Sequence, residues 1–168
     1  MNKKGQAALE FLTTYGWAFL VILIMIGALS YFGVLNPTKY VPDSCRFSAP
    51  FTCDNAVITT TELTMKFKNT GEDAAVITTI TLTDANSGNT ETVTDFSSGV
   101  TGTCTGTATE LTCPVGGIAT LTSATYTANR FGSIGSKANL NVVLTYYYEK
   151  SGATFSKPSG GTIVQTVQ

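Results

Sequence analysis

Histidine is missing from all 168 residues of the sequence. Its absence removes the usual general base, the Ser/His and Cys/His nucleophile pairs and the commonest metal ligand, so the sequence offers little to an enzyme and points to no cofactor or metal. Charge is sparse as well. Asp, Glu, Lys and Arg make up 12% of the chain, about half the usual share. With 10 basic and 11 acidic residues the net charge is −1, which gives neither nucleic acid nor a polybasic membrane patch an electrostatic footing. Thr, Ser, Gly and Ala fill the polar and small positions, as on an outside surface. Asp43, Glu72, Asp73 and Glu110 are scattered among turns and linkers, without the pairing that acid/base catalysis uses.

The cysteines lack C-x-x-C spacing, and without histidine they make a poor zinc site. They read as disulfides, which require an oxidising compartment. Cys45, Cys53, Cys104 and Cys113 allow three connectivities. Pairing Cys45 with Cys53 and Cys104 with Cys113 is preferred because each pair closes a short loop, CRFSAPFTC and CTGTATELTC. An N-glycosylation sequon is also lacking, since Asn36-Pro37-Thr38 carries the excluded proline.

Between Lys4 and Lys39 the only charged residue is Glu10. From Phe11 to Leu35 the residues are almost wholly apolar or aromatic, enough to span a bilayer as a helix. Lys3 and Lys4 then place the short N-terminal end in the cytoplasm and the rest of the chain outside. A carboxylate at the head of such a helix is costly and calls for a partner. Three fates are open. A signal peptide cut at Ala28-Leu29-Ser30 would release a secreted domain starting at Tyr31. A plain single-span anchor would hold an external binding domain that never polymerises, and would leave Glu10 unexplained. Removal of residues 1–5 alone, MNKKG, would keep the helix of residues 6–36 on the mature chain and create a positive α-amino group at Gln6. If such helices pack side by side, Glu10 of one copy can meet that amine on a neighbour, a pair that sets axial register. Gln6 also lies one turn from Glu10, so pairing within one chain competes.

The stretch KKGQAALEFL, where basic residues, Gly, Gln and Glu precede the apolar helix in order, resembles the class III signal peptide of archaeal type IV pilin-like proteins, a family that includes pilins and archaellins. The resemblance covers residues 1 to about 35 only. It implies cleavage between Gly5 and Gln6, after Lys3 and Lys4, by a membrane aspartyl prepilin peptidase. It further implies an assembly role for Glu10 and polymerisation into a homo-polymeric surface filament by pilus assembly machinery. Ala8 departs from the Ser that many members carry there, one small residue for another.

A continuous helix from Ala7 to Leu35 is roughly 43 Å long at 1.5 Å per residue, longer than the roughly 30 Å hydrocarbon core. Gly16 and Gly27, about three turns apart, share a face on which a neighbouring helix can approach closely. Asn36-Pro37 is expected to end the helix.

Residues 37–168 change character, with Thr, Val, Ile, Tyr and Gly dominating. The fold expected is therefore α+β: a long N-terminal apolar helix followed by an all-β domain, sandwich or Greek-key-like, of roughly six to eight strands. Leu63, Met65 and Phe67 alternate with polar residues, Asn69-Thr70-Gly71 turns, and Val76, Ile80 and Leu82 share the next face, which together read as a hairpin. Asp84 to Asn89 is a second turn, leading to a strand around Glu91 to Phe96. A strand is expected from Ile118 to Thr127. The clearest is Leu140 to Tyr148, followed by a turn at Lys150 to Gly152 and a strand from Ala153 to Lys157. Ile163 and Val167 share a face of the last segment. Ser97 to Gly117, rich in Gly and Thr, reads as a surface excursion held by Cys104 and Cys113.

Asp84, Asn86 and Gly88 have turn chemistry, not EF-hand spacing. Of Tyr146, Tyr147 and Tyr148, two are expected to pack into the sheet and one to lie outside, where an aromatic patch could meet a sugar or another surface. The abundant Thr suits half-buried strands and also supplies acceptors for O-linked sugars.

Overall fold

The computed structural model describes residues 3–33, 41–122 and 129–168, with side chains from Leu9 onward. The chain divides into two compact units, Met1–Val41 and Pro42–Gln168. The fold is α+β, one long N-terminal helix followed by two antiparallel sheets.

Helix α1 runs over Lys3–Tyr31, 29 residues without a proline. It is as long as the sequence suggests but starts and ends four residues earlier. The stop is not Asn36-Pro37. Gly33 adopts φ 69°, and the Phe32 and Gly33 N–H groups donate to the Ala28 and Ser30 carbonyls at 3.0 Å. A left-handed glycine at this place closes the last turn without the clash a Cβ would bring. Asn36 and Pro37 lie outside the described residues.

The β unit contains β1 (Ser44–Phe47), β2 (Phe51–Ile58), β3 (Leu63–Asn69), β4 (Ala75–Asp84), β5 (Thr90–Val93), β6 (Val100–Gly102), β7 (Thr105–Gly106), β8 (Leu111–Cys113), β9 (Ile118–Thr122), β10 (Lys137–Tyr148) and β11 (Lys157–Thr166). The larger sheet has the order β1-β11-β10-β4-β8-β7, with β5 pairing the far half of β4. The smaller has the order β2-β3-β9-β6. Between them lies one core. Leu63, Met65, Phe67, Ala119 and Leu121 face Ile77, Ile80, Leu82, Leu140, Val142, Leu144 and Ile163, all buried. The period-2 alternation in β3 and β10 puts these residues inside and Thr, Lys and Asn outside.

Leu63 to Leu82 is not a hairpin: β3 and β4 belong to different sheets, and residues 70–74 arch between them. Asn69 is not a turn residue open to water but is fully buried, and it ties this arch to the one after β8. Ile77, not Val76, shares the core face with Ile80 and Leu82. A bulge on β4, where Thr145 faces Thr79 but Tyr146 faces Ile77, resets the alternation. Ala153–Phe155 forms a short exposed 3-10 turn rather than a strand, and pairing resumes at Lys157.

The stretch from Ser97 to Gly117 is more than a surface excursion. It supplies β6 to one sheet and β7 and β8 to the other, with Leu111 and Cys113 fully buried. Its glycines permit close backbone approach: a Cβ on Gly102 would stand 2.3 Å from the Ile118 carbonyl oxygen, and one on Gly106 2.0 Å from that of Phe96. Strands β1 and β2 were not anticipated from the sequence. The strand starting at Ile118 is described to Thr122, and its expected continuation to Thr127 lies outside the described residues.

Candidate functional site

The first candidate is the helix. Its Leu9–Tyr31 segment, 23 residues, is long and apolar enough to cross a membrane. Large apolar side chains stand exposed around its whole circumference, among them Leu12, Trp17, Phe19, Ile22, Leu23 and Met25. A helix apolar on every side needs lipid or other helices around it in water. The few polar groups are handled locally. Thr13 Oγ1 donates to the Leu9 and Glu10 carbonyls at 3.0 Å, and Thr14 Oγ1 to Glu10 at 2.9 Å. Such back-bonding lets threonine sit in an apolar segment with its hydroxyl satisfied.

Glu10 is different. It is exposed, and among the described side chains none reaches its carboxylate. Glu10 and Tyr31 are roughly 32 Å apart along the helix at 1.5 Å per residue, about one hydrocarbon thickness. In a bilayer that spacing lets Glu10 sit at the headgroup edge while Phe11 to Tyr31 fills the interior. Lys3, Lys4, Gly5 and Gln6 form the opening turns of α1, and their side chains lie outside those described. Gly16 and Gly27 have nothing within 4 Å of where a Cβ would stand, so both leave open notches on the helix surface.

In the β unit the cysteines pair as Cys45–Cys53 and Cys104–Cys113. Asp84 binds its own turn: one carboxylate oxygen accepts from the Asn86 N–H at 3.0 Å, and the other from the Ser87 hydroxyl at 2.6 Å. No group of three metal-ligating side chains gathers among the described residues.

The tyrosines divide as their alternation demands. Tyr146 is buried, Tyr148 packs partly against the core, and Tyr147 on the other face donates to the Glu110 carboxylate at 2.9 Å. That bond raises the Tyr147 phenol above its ordinary value, with burial adding less. Tyr146 and Tyr148 also wall an open cleft that sequence reasoning missed, because its other side comes from Pro50 and from Gly71 to Asp73 on distant segments.

No protein-family model matches the chain, and no curated protein matches it either.

Proposed function

We propose that the chain is the precursor of a structural subunit of an archaeal type IV pilus-like surface filament. In this reading a prepilin peptidase cuts between Gly5 and Gln6, the helix holds the chain in the membrane with the β unit outside, and assembly machinery packs copies helix to helix. The protein is then a building block and not an enzyme. The observation that carries the reading is an all-round apolar helix that follows KKGQ, with Glu10 near its head unpaired among the described side chains. The new amine at Gln6 of a neighbouring copy would neutralise Glu10 and fix register, a specificity device more than a source of stability. Gly16 and Gly27 would let neighbouring helices close up. Once the helices are in the water-filled extracellular filament, apolar burial would hold them together.

The competing reading is a membrane-anchored or secreted β domain that binds something and does not polymerise. Intact-mass and N-terminal peptide mass spectrometry on protein from the native host separates the two. A chain starting at Gln6 is expected. A start at Met1, Asn2 or Tyr31 would overturn the filament reading. Glu10→Ala is expected to abolish or sharply reduce filaments while leaving the β unit folded, and normal filaments from this variant would remove the registry role.

A further inference from the structure

The β unit carries an open cleft of about 520 Å³, lined in part by Pro50, Gly71, Glu72, Asp73, Tyr148 and Lys150. Its size falls within the roughly 300–1,000 Å³ typical of small-ligand sites. The aromatic wall is held in place: the Tyr146 ring meets Phe51 edge-on at 5.1 Å and Tyr148 at 5.5 Å. The rim carries both signs of charge. Lys150 Nζ lies 3.3 Å from Asp73, Lys157 Nζ stands 5.9 Å from the centre of the Tyr148 ring, and the exposed Glu72 carboxylate meets no partner among the described residues.

We infer that this cleft is a binding site for a neutral saccharide. An anion would meet Glu72 and Asp73, and a cation would meet Lys150 with the face of Tyr148 already shared with Lys157. Either net charge is opposed by a like charge at the rim. A neutral ligand avoids both penalties. The Tyr and Pro walls favour an apolar face, while Glu72 and Lys150 offer an acceptor and donors at the edge. A pyranose ring combines those properties, presenting C–H groups on its faces and hydroxyls around its rim. The inference does not depend on polymerisation, so it stands or falls separately from the filament reading.

The test is amide NMR on the ¹⁵N-labelled full chain in a zwitterionic detergent without sugar headgroups, titrated with maltotriose, cellotriose and triacetylchitotriose. At least one is expected to give saturable shifts centred on residues 70–73 and 146–150. Glu72→Gln, a surface change that leaves the fold intact, should weaken that binding by about tenfold. Tyr148→Ala should abolish it, and Tyr147→Ala, on the opposite face, should leave it unchanged. The inference is overturned if all three sugars at roughly 10 mM, a concentration that detects even millimolar affinity, produce no shifts. Binding that is unaltered in Glu72→Gln or Tyr148→Ala would also overturn it. So would the same shifts from tetramethylammonium chloride or sodium phosphate.

Discussion

Cys45 and Cys53, with Cα atoms 5.6 Å apart, join strands that belong to different sheets. β1 is the edge of the larger sheet and β2 the edge of the smaller, so this bridge closes one lateral seam of the sandwich. On the other side, Cys104 sits where the chain crosses from β6 to β7, and it is bound to Cys113 at the end of β8. The first bridge joins the two sheets, whereas the second lies within the larger one, next to the β7–β8 pair that sets Thr105 opposite Thr112.

Replacing Cys104 and Cys113 together by Ala should lower unfolding stability by about 2.5 kcal/mol, the chain-entropy value for so short a loop. The urea midpoint should fall while intact mass still shows the Cys45–Cys53 bridge. An unchanged midpoint would mean that the excursion holds its place by packing alone.

Asn69→Ala should be among the most damaging polar substitutions, at about 3 kcal/mol. The buried amide donates to the Asp73 and Cys113 carbonyls at 2.9 and 3.0 Å, and its oxygen accepts from the Gly71 N–H at 2.9 Å. Removing it leaves buried acceptors unpaired in two arches at once. Denaturant unfolding measures the loss, with Asn86→Ala in the exposed turn as a near-neutral control.

Glycine substitutions should separate into two groups. Gly102→Ala and Gly106→Ala drive a Cβ into the Ile118 and Phe96 carbonyl oxygens and should each cost about 2 kcal/mol or more. Gly160→Ala on β11 meets nothing within 4 Å and should leave the melting temperature close to that of the parent chain.

Acid should loosen the start of the β unit. The Lys137 hydrogen bond, joined by Thr166, holds the Asp43 carboxyl below its ordinary value of 3.8. A lowered folded pKa contributes stability that is present above pH 3.8 and is lost as pH falls through the folded value. Because the Asp43 side chain is half exposed, the contribution is about 1 kcal/mol or less. Asp43→Asn should abolish this part of the acid dependence, read from unfolding midpoints between neutral pH and the carboxylate range.

The helix, the strand periodicity of β3 and β10, and the short-loop cysteine pairs were legible because each is a local pattern. Sheet membership was not. Asn69-Thr70-Gly71 has hairpin composition, and only the distant carbonyls of Cys113 and Pro114 turn it into an arch. The bulge at Thr78, between Ile77 and Thr79, hid which residue faces inward, since alternation assumes an unbroken register. Gly102 and Gly106 looked like loop residues, yet their missing side chains let backbones pack. The cleft joins Pro50, Gly71 and Tyr148, which share no local motif.

The circumferential uniformity of α1 has a thermodynamic corollary. Lipid tails and the flanks of sister helices are about equally apolar, so exchanging one environment for the other changes little in contact with water. If copies do leave the bilayer for a filament, that transfer is close to isoergonic for the apolar surface. Direction must then come from something other than the apolar surface, through work done by machinery or through the Glu10 carboxylate and the Gln6 amine, the charges whose surroundings would change. The same near-balance would let a subunit return to the membrane intact, making the filament a reversible store of its own components.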